Sequence, residues 1–248
     1  MPEPSPIWLA PPDQLKLGQR EVHIWRTSLD QSTESVTRLR GLLASHERSK
    51  ADRFWFEKDR RHYTVARGVL RELLSRYLAE PPEAFHFTYS GYGKPSLDST
   101  NLKFNLAHSG QVAVYAFTLI GEVGIDVEFI RPEFTGDEIA RRFFSNTEVN
   151  SLNEVTQETR HLAFFNCWSR KEAVIKAKGL GLSLGLDQFD VTLAPGEPAA
   201  LLRTLWDEAE AERWSLRAID VGEEYAAAIA IESHDWEASY FQYEVGNQ

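Results

Sequence analysis

Asp126-Val127-Glu128 lies in a strand-like run from Val123 to Phe129. Side chains alternate across a strand, so residues i and i+2 project from one face. Two adjacent carboxylates repel unless a cation sits between them. A hard divalent ion such as Mg²⁺ accepts that arrangement, with waters and substrate phosphates completing its shell. The bland alternative is an exposed polar strand face. Glu172 narrows the choice. With Phe165, Trp168 and Ile175 it falls on one apolar stripe of a helix expected over residues 158–178. An unpaired carboxylate there is costly, so Glu172 needs a cation, a metal or an altered pKa. Lys176, one turn on, could supply it as a plain helix pair. If Asp126, Glu128 and Glu172 converge, they make a magnesium site.

Other residues point to anions. His108 ends a strand before Ser109-Gly110 and could donate to a phosphate or orient a base, or simply be an exposed turn histidine. No G-x-S-x-G elbow surrounds Ser109, which argues against a hydrolase triad. Lys94 sits on the turn Gly91-Tyr92-Gly93-Lys94-Pro95, which could aim its ammonium at a phosphate or at solvent. The loop 179–185 is not a dinucleotide fingerprint, because Leu184 stands where the third glycine would be, and no G-x-x-x-x-G-K-[ST] exists. Cys167 reads as a small core residue.

These residues need positioning elements. Residues 1–20 read as a Pro-rich extended arm and 22–25 as a short strand. Helices are expected over 34–46 and 60–78, the latter ended by Pro81-Pro82. A strand over 85–89 precedes a hairpin over 102–118, and 123–129 is a further strand. Residues 132–136 break the pattern, and helices follow over 137–143, 146–153 and 158–178. Strands close the chain over 189–193, 200–204, 214–219 and 225–231. The order helix (60–78), strand (85–89), hairpin (102–118) recurs as helix (158–178), strand (189–193), hairpin (214–231), although many α+β domains share such an order.

Composition bounds the rest. A length of 248 residues means one large domain or two small ones. No apolar run approaches the ~18 residues of a membrane span. The N-terminal residues lack the basic and apolar regions of a secretory signal. The single Cys cannot form an internal disulfide, so a cytoplasmic location is expected. Net charge is −10, which argues against nucleic acid as a partner. Yet residues 48–76 hold nine Lys and Arg against four Asp and Glu. That patch suits an anionic small molecule, or is a solvated helix face.

Four blocks resemble the Sfp-type 4′-phosphopantetheinyl transferases of the W-x-x-K-E-A subtype. They are Gly93-Lys94-Pro95, Asn105-Leu106-Ala107-His108-Ser109, Gly124-Ile125-Asp126-Val127-Glu128, and the run from Trp168 through Lys171-Glu172-Ala173 to Lys176. The last two are the specific ones. Arg142-Phe143-Phe144-Ser145 and Gly179-Leu180-Gly181-Leu182-Ser183 resemble further segments of that family.

The resemblance implies an α+β fold of two similar pseudo-symmetric subdomains, 1–120 and 121–248. Each would be a small antiparallel sheet on a long helix, with the active site in the cleft between them. It implies transfer of the phosphopantetheine arm of coenzyme A to a serine of an apo acyl or peptidyl carrier protein. Adenosine 3′,5′-bisphosphate would leave. Asp126, Glu128 and Glu172 would hold Mg²⁺, Glu172 would take the serine proton, and Lys176 would contact the phosphates. His108 and the backbone around Ala107, in the block that begins at Asn105, would reach the 3′-phosphate. Lys94 would bind near the adenine, and Lys50, with Arg53 and Arg67 on spatial grounds, would contact the nucleotide phosphates. Family members often carry Ser where Ala107 stands, so one hydroxyl contact would be absent. Carriers of this kind are acidic helical bundles, which a basic surface would help to dock. A monomer would suffice. The alternatives are a magnesium-dependent phosphohydrolase or nuclease on the same carboxylates, and a non-catalytic module that binds an acidic partner.

Overall fold

Two long helices with strongly apolar faces dictate the architecture, because each must bury its stripe against a sheet. A computed structural model describes residues 6–134 and 136–246, so the first five residues of the expected arm lie outside the described ones. The first half runs β1 (Glu21–Ser28), α1 (Thr33–Leu42), α2 (Ser45–Asp52), α3 (Glu57–Leu78), the short β2 (Thr88–Tyr89) and β3 (Pro95–Ser96), then β4 (Lys103–Ser109) and β5 (Val112–Thr118). The second runs β6 (Val123–Phe129), α4 (Asp137–Phe143), α5 (Asn146–Glu154), α6 (Arg160–Lys178), β7 (Phe189–Val191), β8 (Leu201–Thr204), β9 (Ser215–Ala218), β10 (Tyr225–Ile231) and β11 (Glu237–Gln242). The fold is of the α+β class.

The two main sheets have the orders β11-β1-β5-β4 and β6-β10-β9. Their pairs are antiparallel except β1 with β11, which is parallel. Alternation along the strands explains the layers. Trp25, Tyr115 and Phe117 face α3 with Leu70, Leu73 and Leu74. Ile24, Val114 and Ala116 face the other way, against Ile125, Val127 and Ile229 of the second sheet. Ala226, Ala228 and Ala230 then pack on α6 with Ala173 and Val174. The order through the molecule is helix, sheet, sheet, helix.

Three local expectations change. The single helix expected over 34–46 is two, because Leu43 and Ala44 are extended and α2 restarts at Ser45. The restart turns Glu47 inward, where it accepts the Ala44 N–H and pairs with both Arg67 and Arg71. The strand expected over 85–89 shrinks to Thr88–Tyr89, after a 3₁₀ turn at Pro82–Ala84. β11 went unread, since Phe241 is its one buried residue. It returns to the first sheet beside β1, so the 121–248 half lends its last strand to the 1–120 half.

Candidate functional site

Gly124 opens the site. A Cβ there would lie 2.1 Å from the Ala173 carbonyl oxygen and 2.3 Å from the Ala177 nitrogen. Only glycine lets β6 press so closely onto the small-residue face of α6. That approach brings the Lys176 ammonium to Asp126, which accepts its hydrogen bond at 2.6 Å. Asp126 is 3% exposed, and its second oxygen, Oδ2, is buried without a hydrogen-bond partner. Burial raises the Asp126 carboxyl against the pull of Lys176. Burial, then the Asp126 charge, pushes Glu128 up to about 7. The same two causes raise Glu172. Burial opposes the charge on Lys176, but Asp126, Glu172 and Glu128 together outweigh it, and its pKa is raised.

Three carboxylates thus share one ammonium and remain short of positive charge. Among the described residues, no three of His, Cys, Asp and Glu stand close enough to ligate an ion as they are. Mg²⁺ does not require that. It commonly takes one or two carboxylates and fills its octahedron with substrate phosphates and water. An all-oxygen donor set, with one buried oxygen lacking a partner, fits such a partial shell.

The lysine beside Glu172 has a different duty. Lys171 is fully buried and donates to Glu148 at 2.8 Å, to the Leu186 carbonyl at 2.6 Å and to the Phe189 carbonyl at 2.5 Å. Glu148 also accepts the Val191 N–H at 2.9 Å. Lys171 therefore pins α6 to α5 and β7, and that fixes the helical face on which Glu172 and Lys176 stand.

A cleft of about 410 Å³ opens where α3 and α6 flank the seam between β4 and β6. Arg67, Lys94, Asn105, Ala107, His108, Glu172 and Lys176 line it. Asp126 and Glu128 are not among its lining residues; Asp126 is joined to the lining through Lys176. His108 is an exposed residue of β4. The protein around its ring, then the Lys176 ammonium, push its imidazole below the usual range.

The other cations are placed less simply. Lys94 donates to Glu122 at 2.9 Å and to the Ala177 carbonyl at 2.8 Å, so it offers the cleft its stem rather than a free ammonium. Arg67 is 6% exposed and donates to Glu47 at 2.6 and 2.9 Å and to the Tyr89 hydroxyl at 3.0 Å. Arg71 is engaged by the same Glu47. Part of the basic stretch is therefore neutralised inside the protein. Lys50 is exposed, 5.4 Å over the Tyr63 ring, and Arg53 is exposed at the end of α2. Neither lines the cleft.

Two aromatic walls escaped sequence reasoning. Tyr63 and Tyr92 both line the cleft. Tyr63 read as one more apolar position on a helix. Tyr92 is backed by Gly181, where a Cβ would come within 2.7 Å of the Tyr92 Cβ. The glycine loop after α6 was the available signal for that wall.

Residues 122–230 match the profile described as the 4′-phosphopantetheinyl transferase superfamily. Residues 24–119 match one described as 4′-phosphopantetheinyl transferase, N-terminal. The chain is 35% identical over 240 residues to the 4′-phosphopantetheinyl transferase HetI of Nostoc sp., across 95% of this chain and 98% of that protein. It is 34% identical over 163 residues to the 4′-phosphopantetheinyl transferase Sfp of Bacillus subtilis, across 65% of this chain and 71% of that one. The human L-aminoadipate-semialdehyde dehydrogenase-phosphopantetheinyl transferase is 28% identical over 212 residues, across 78% of this chain and 68% of that protein.

Proposed function

We infer, because the chain belongs to the 4′-phosphopantetheinyl transferase superfamily, that it moves the phosphopantetheine arm of coenzyme A onto a serine of an apo carrier protein. The serine oxygen bonds to the phosphorus that bears pantetheine. The bridging P–O bond breaks, and adenosine 3′,5′-bisphosphate leaves with the electron pair. One observation carries the reading at this site: a buried carboxylate oxygen without a partner, on a strand pressed against the helix of Glu172 and Lys176, beside a cleft between two helices.

Transfer of this kind asks a protein mainly for positioning and charge neutralisation. Asp126, Glu128 and Glu172 would hold Mg²⁺ by the pyrophosphate. When bound, the ion neutralises charge on the reacting phosphates and stabilises the leaving one. Glu172 accepts the serine proton, directly or through water. Lys176 holds Asp126 in the free enzyme and turns to the phosphates when coenzyme A arrives. His108 donates a ring N–H to the 3′-phosphate. Lys50 and Arg53 add positive potential at the nucleotide end, and Arg67, its charge held by Glu47, forms part of the cleft wall. The Lys94 turn shapes the place of the adenine.

One chain supplies both walls of the cleft, which supports a monomer. Two units, 1–120 and 121–248 with β11 returned to the first, are our reading of its organisation. No helix among the described residues is long and apolar enough to cross a membrane. The single cysteine, free and buried, agrees with a cytoplasmic enzyme. A net charge of −10 gives no support to a nucleic-acid partner.

The test is incubation with coenzyme A, Mg²⁺ and apo carriers of acyl and peptidyl type, read by mass spectrometry. A phosphopantetheinyl adduct on the carrier serine is expected. Phosphate release or nucleic-acid cleavage without that adduct would support the hydrolase alternative instead.

A further inference from the structure

β4 is one edge of the first sheet and β6 is one edge of the second. Two bare edges side by side carry backbone N–H groups that need partners. No backbone ladder joins them, and side chains of β4 take its place. The Ile125 N–H donates to Asn105 Oδ1 at 2.9 Å, and the Phe129 N–H donates to Ser109 Oγ at 3.0 Å. Asn105 and Ser109 are four residues apart on one face of β4, as Ile125 and Phe129 are on β6. The matched spacing makes two rungs across the seam. Ala107 lies between them, 5% exposed and without a polar side-chain atom.

Ser109 does more than close a rung. Its hydroxyl accepts from Phe129 and so keeps its one proton for another partner. That proton goes to Glu128 Oε2, at 3.2 Å. The backbone holds the hydroxyl there. Gly110 has φ +57°, and a Cβ on it would meet the Tyr225 hydroxyl at 2.9 Å and the Phe129 Cβ at 3.2 Å. The turn is therefore pressed against the end of β6, and Tyr225 fastens it by accepting the Gln111 N–H at 3.2 Å.

We propose that Asn105 and Ser109 form a clasp that sets the register of β6 against β4, and that Ser109 is a positioning residue which orients the Glu128 carboxylate for a divalent ion. The proposal rests on the magnesium reading above. It also explains how the two ends of the substrate are kept in step. His108 and Ser109 are neighbours, so the strand that presents an imidazole to the nucleotide also fixes a carboxylate of the metal site. Partners one step behind a metal ligand commonly govern affinity about 10- to 100-fold.

The test measures ion binding rather than transfer. Mn²⁺ is titrated into wild type, Ser109→Ala and Ser109→Thr with saturating coenzyme A and no carrier, and free Mn²⁺ is followed by electron paramagnetic resonance. Coenzyme A binding is measured separately in chelator by calorimetry. Ser109→Ala should weaken Mn²⁺ about tenfold or more, Ser109→Thr should retain most of the affinity, and binding in chelator should not change. Unchanged Mn²⁺ affinity in Ser109→Ala would overturn the orienting role, as would an equal loss in both measurements, which marks general damage. Ser109→Cys, a near-isostere with a weak donor, carries the same test if the alanine variant does not fold, and should weaken Mn²⁺ as alanine would. Wild type that binds no Mn²⁺ would overturn the magnesium reading itself, and the role with it.

Discussion

At Asp126 burial outweighs pairing, and the carboxyl is raised although Lys176 pulls it down. One oxygen holds Lys176 and the other holds nothing. Asp126→Ala should abolish transfer, and raising Mg²⁺ should not restore it; near-normal turnover at saturating Mg²⁺ would refute the ligand role. Glu172→Gln should lower turnover far more than coenzyme A affinity, measured by steady-state kinetics beside calorimetry. pH has a definite sign. Glu128 titrates at about 7 instead of its ordinary 4.5. Below that pH it is protonated and must release its proton to bind a cation. Mg²⁺ affinity should therefore weaken as pH falls through 7, and calorimetry at pH 6 and 8 would read it. Without metal, the folded state holds a proton that the unfolded state has released. That contribution is fully present below about 4.5 and lost as pH rises through about 7. Thermal stabilisation by Mg²⁺ should accordingly be larger at pH 8 than at pH 6. At this scale strand spacing suggested that Asp126 and Glu128 share a face, and helix spacing that Lys176 stands one turn from Glu172, while only the family resemblance joined these residues with His108 into one site. The engagement of Arg67 by Glu47 and of Lys94 by Glu122 was not, since each partner is twenty or more residues away.

Among elements, the β6–α6 contact decides whether the site exists. Gly124→Ala places a methyl into the Ala173 carbonyl and the α6 backbone. Overpacking of that kind costs typically 1–3 kcal/mol, and backbone contact on two sides puts this case at about 3 kcal/mol or more. The urea midpoint should fall accordingly, with loss of transfer. Lys171→Met strands a buried Glu148 and should cost about 3–5 kcal/mol, with part recovered by adding Glu148→Gln. A cost under about 1 kcal/mol would mean that α6 is held by other contacts. Long, strongly periodic elements such as α3 and α6 were readable from the chain. The break between α1 and α2 was not, because it serves the Glu47 pairing with two arginines of α3 rather than any local breaker. β11 was not either, because its burial comes from β1 and from the Trp25 ring tilted against Phe241 with centroids 4.8 Å apart, not from its own alternation.

For the whole molecule, the core between the two sheets is what couples the halves. Ile24 and Val114 from one sheet meet Ile125 and Ile229 from the other with no exposed surface, and β11 ties the end of the chain back to its start. Urea should therefore unfold both halves in one transition, seen alike by tryptophan fluorescence and circular dichroism; two separated transitions would contradict the coupling. The repeated element order was visible in the sequence. The back-to-back stacking of the sheets was not, since a continuous apolar run such as β5 or β10 shows that a strand is buried on both faces but not which layer each one meets. The central claim is the transfer itself. Apo carrier protein, coenzyme A and Mg²⁺ with this enzyme should give, by intact-protein mass spectrometry, one phosphopantetheinyl group on the carrier serine and an equal yield of adenosine 3′,5′-bisphosphate, with neither product from Asp126→Ala. Carrier that stays unmodified while coenzyme A is hydrolysed or left intact, across carriers of both types, would contradict it.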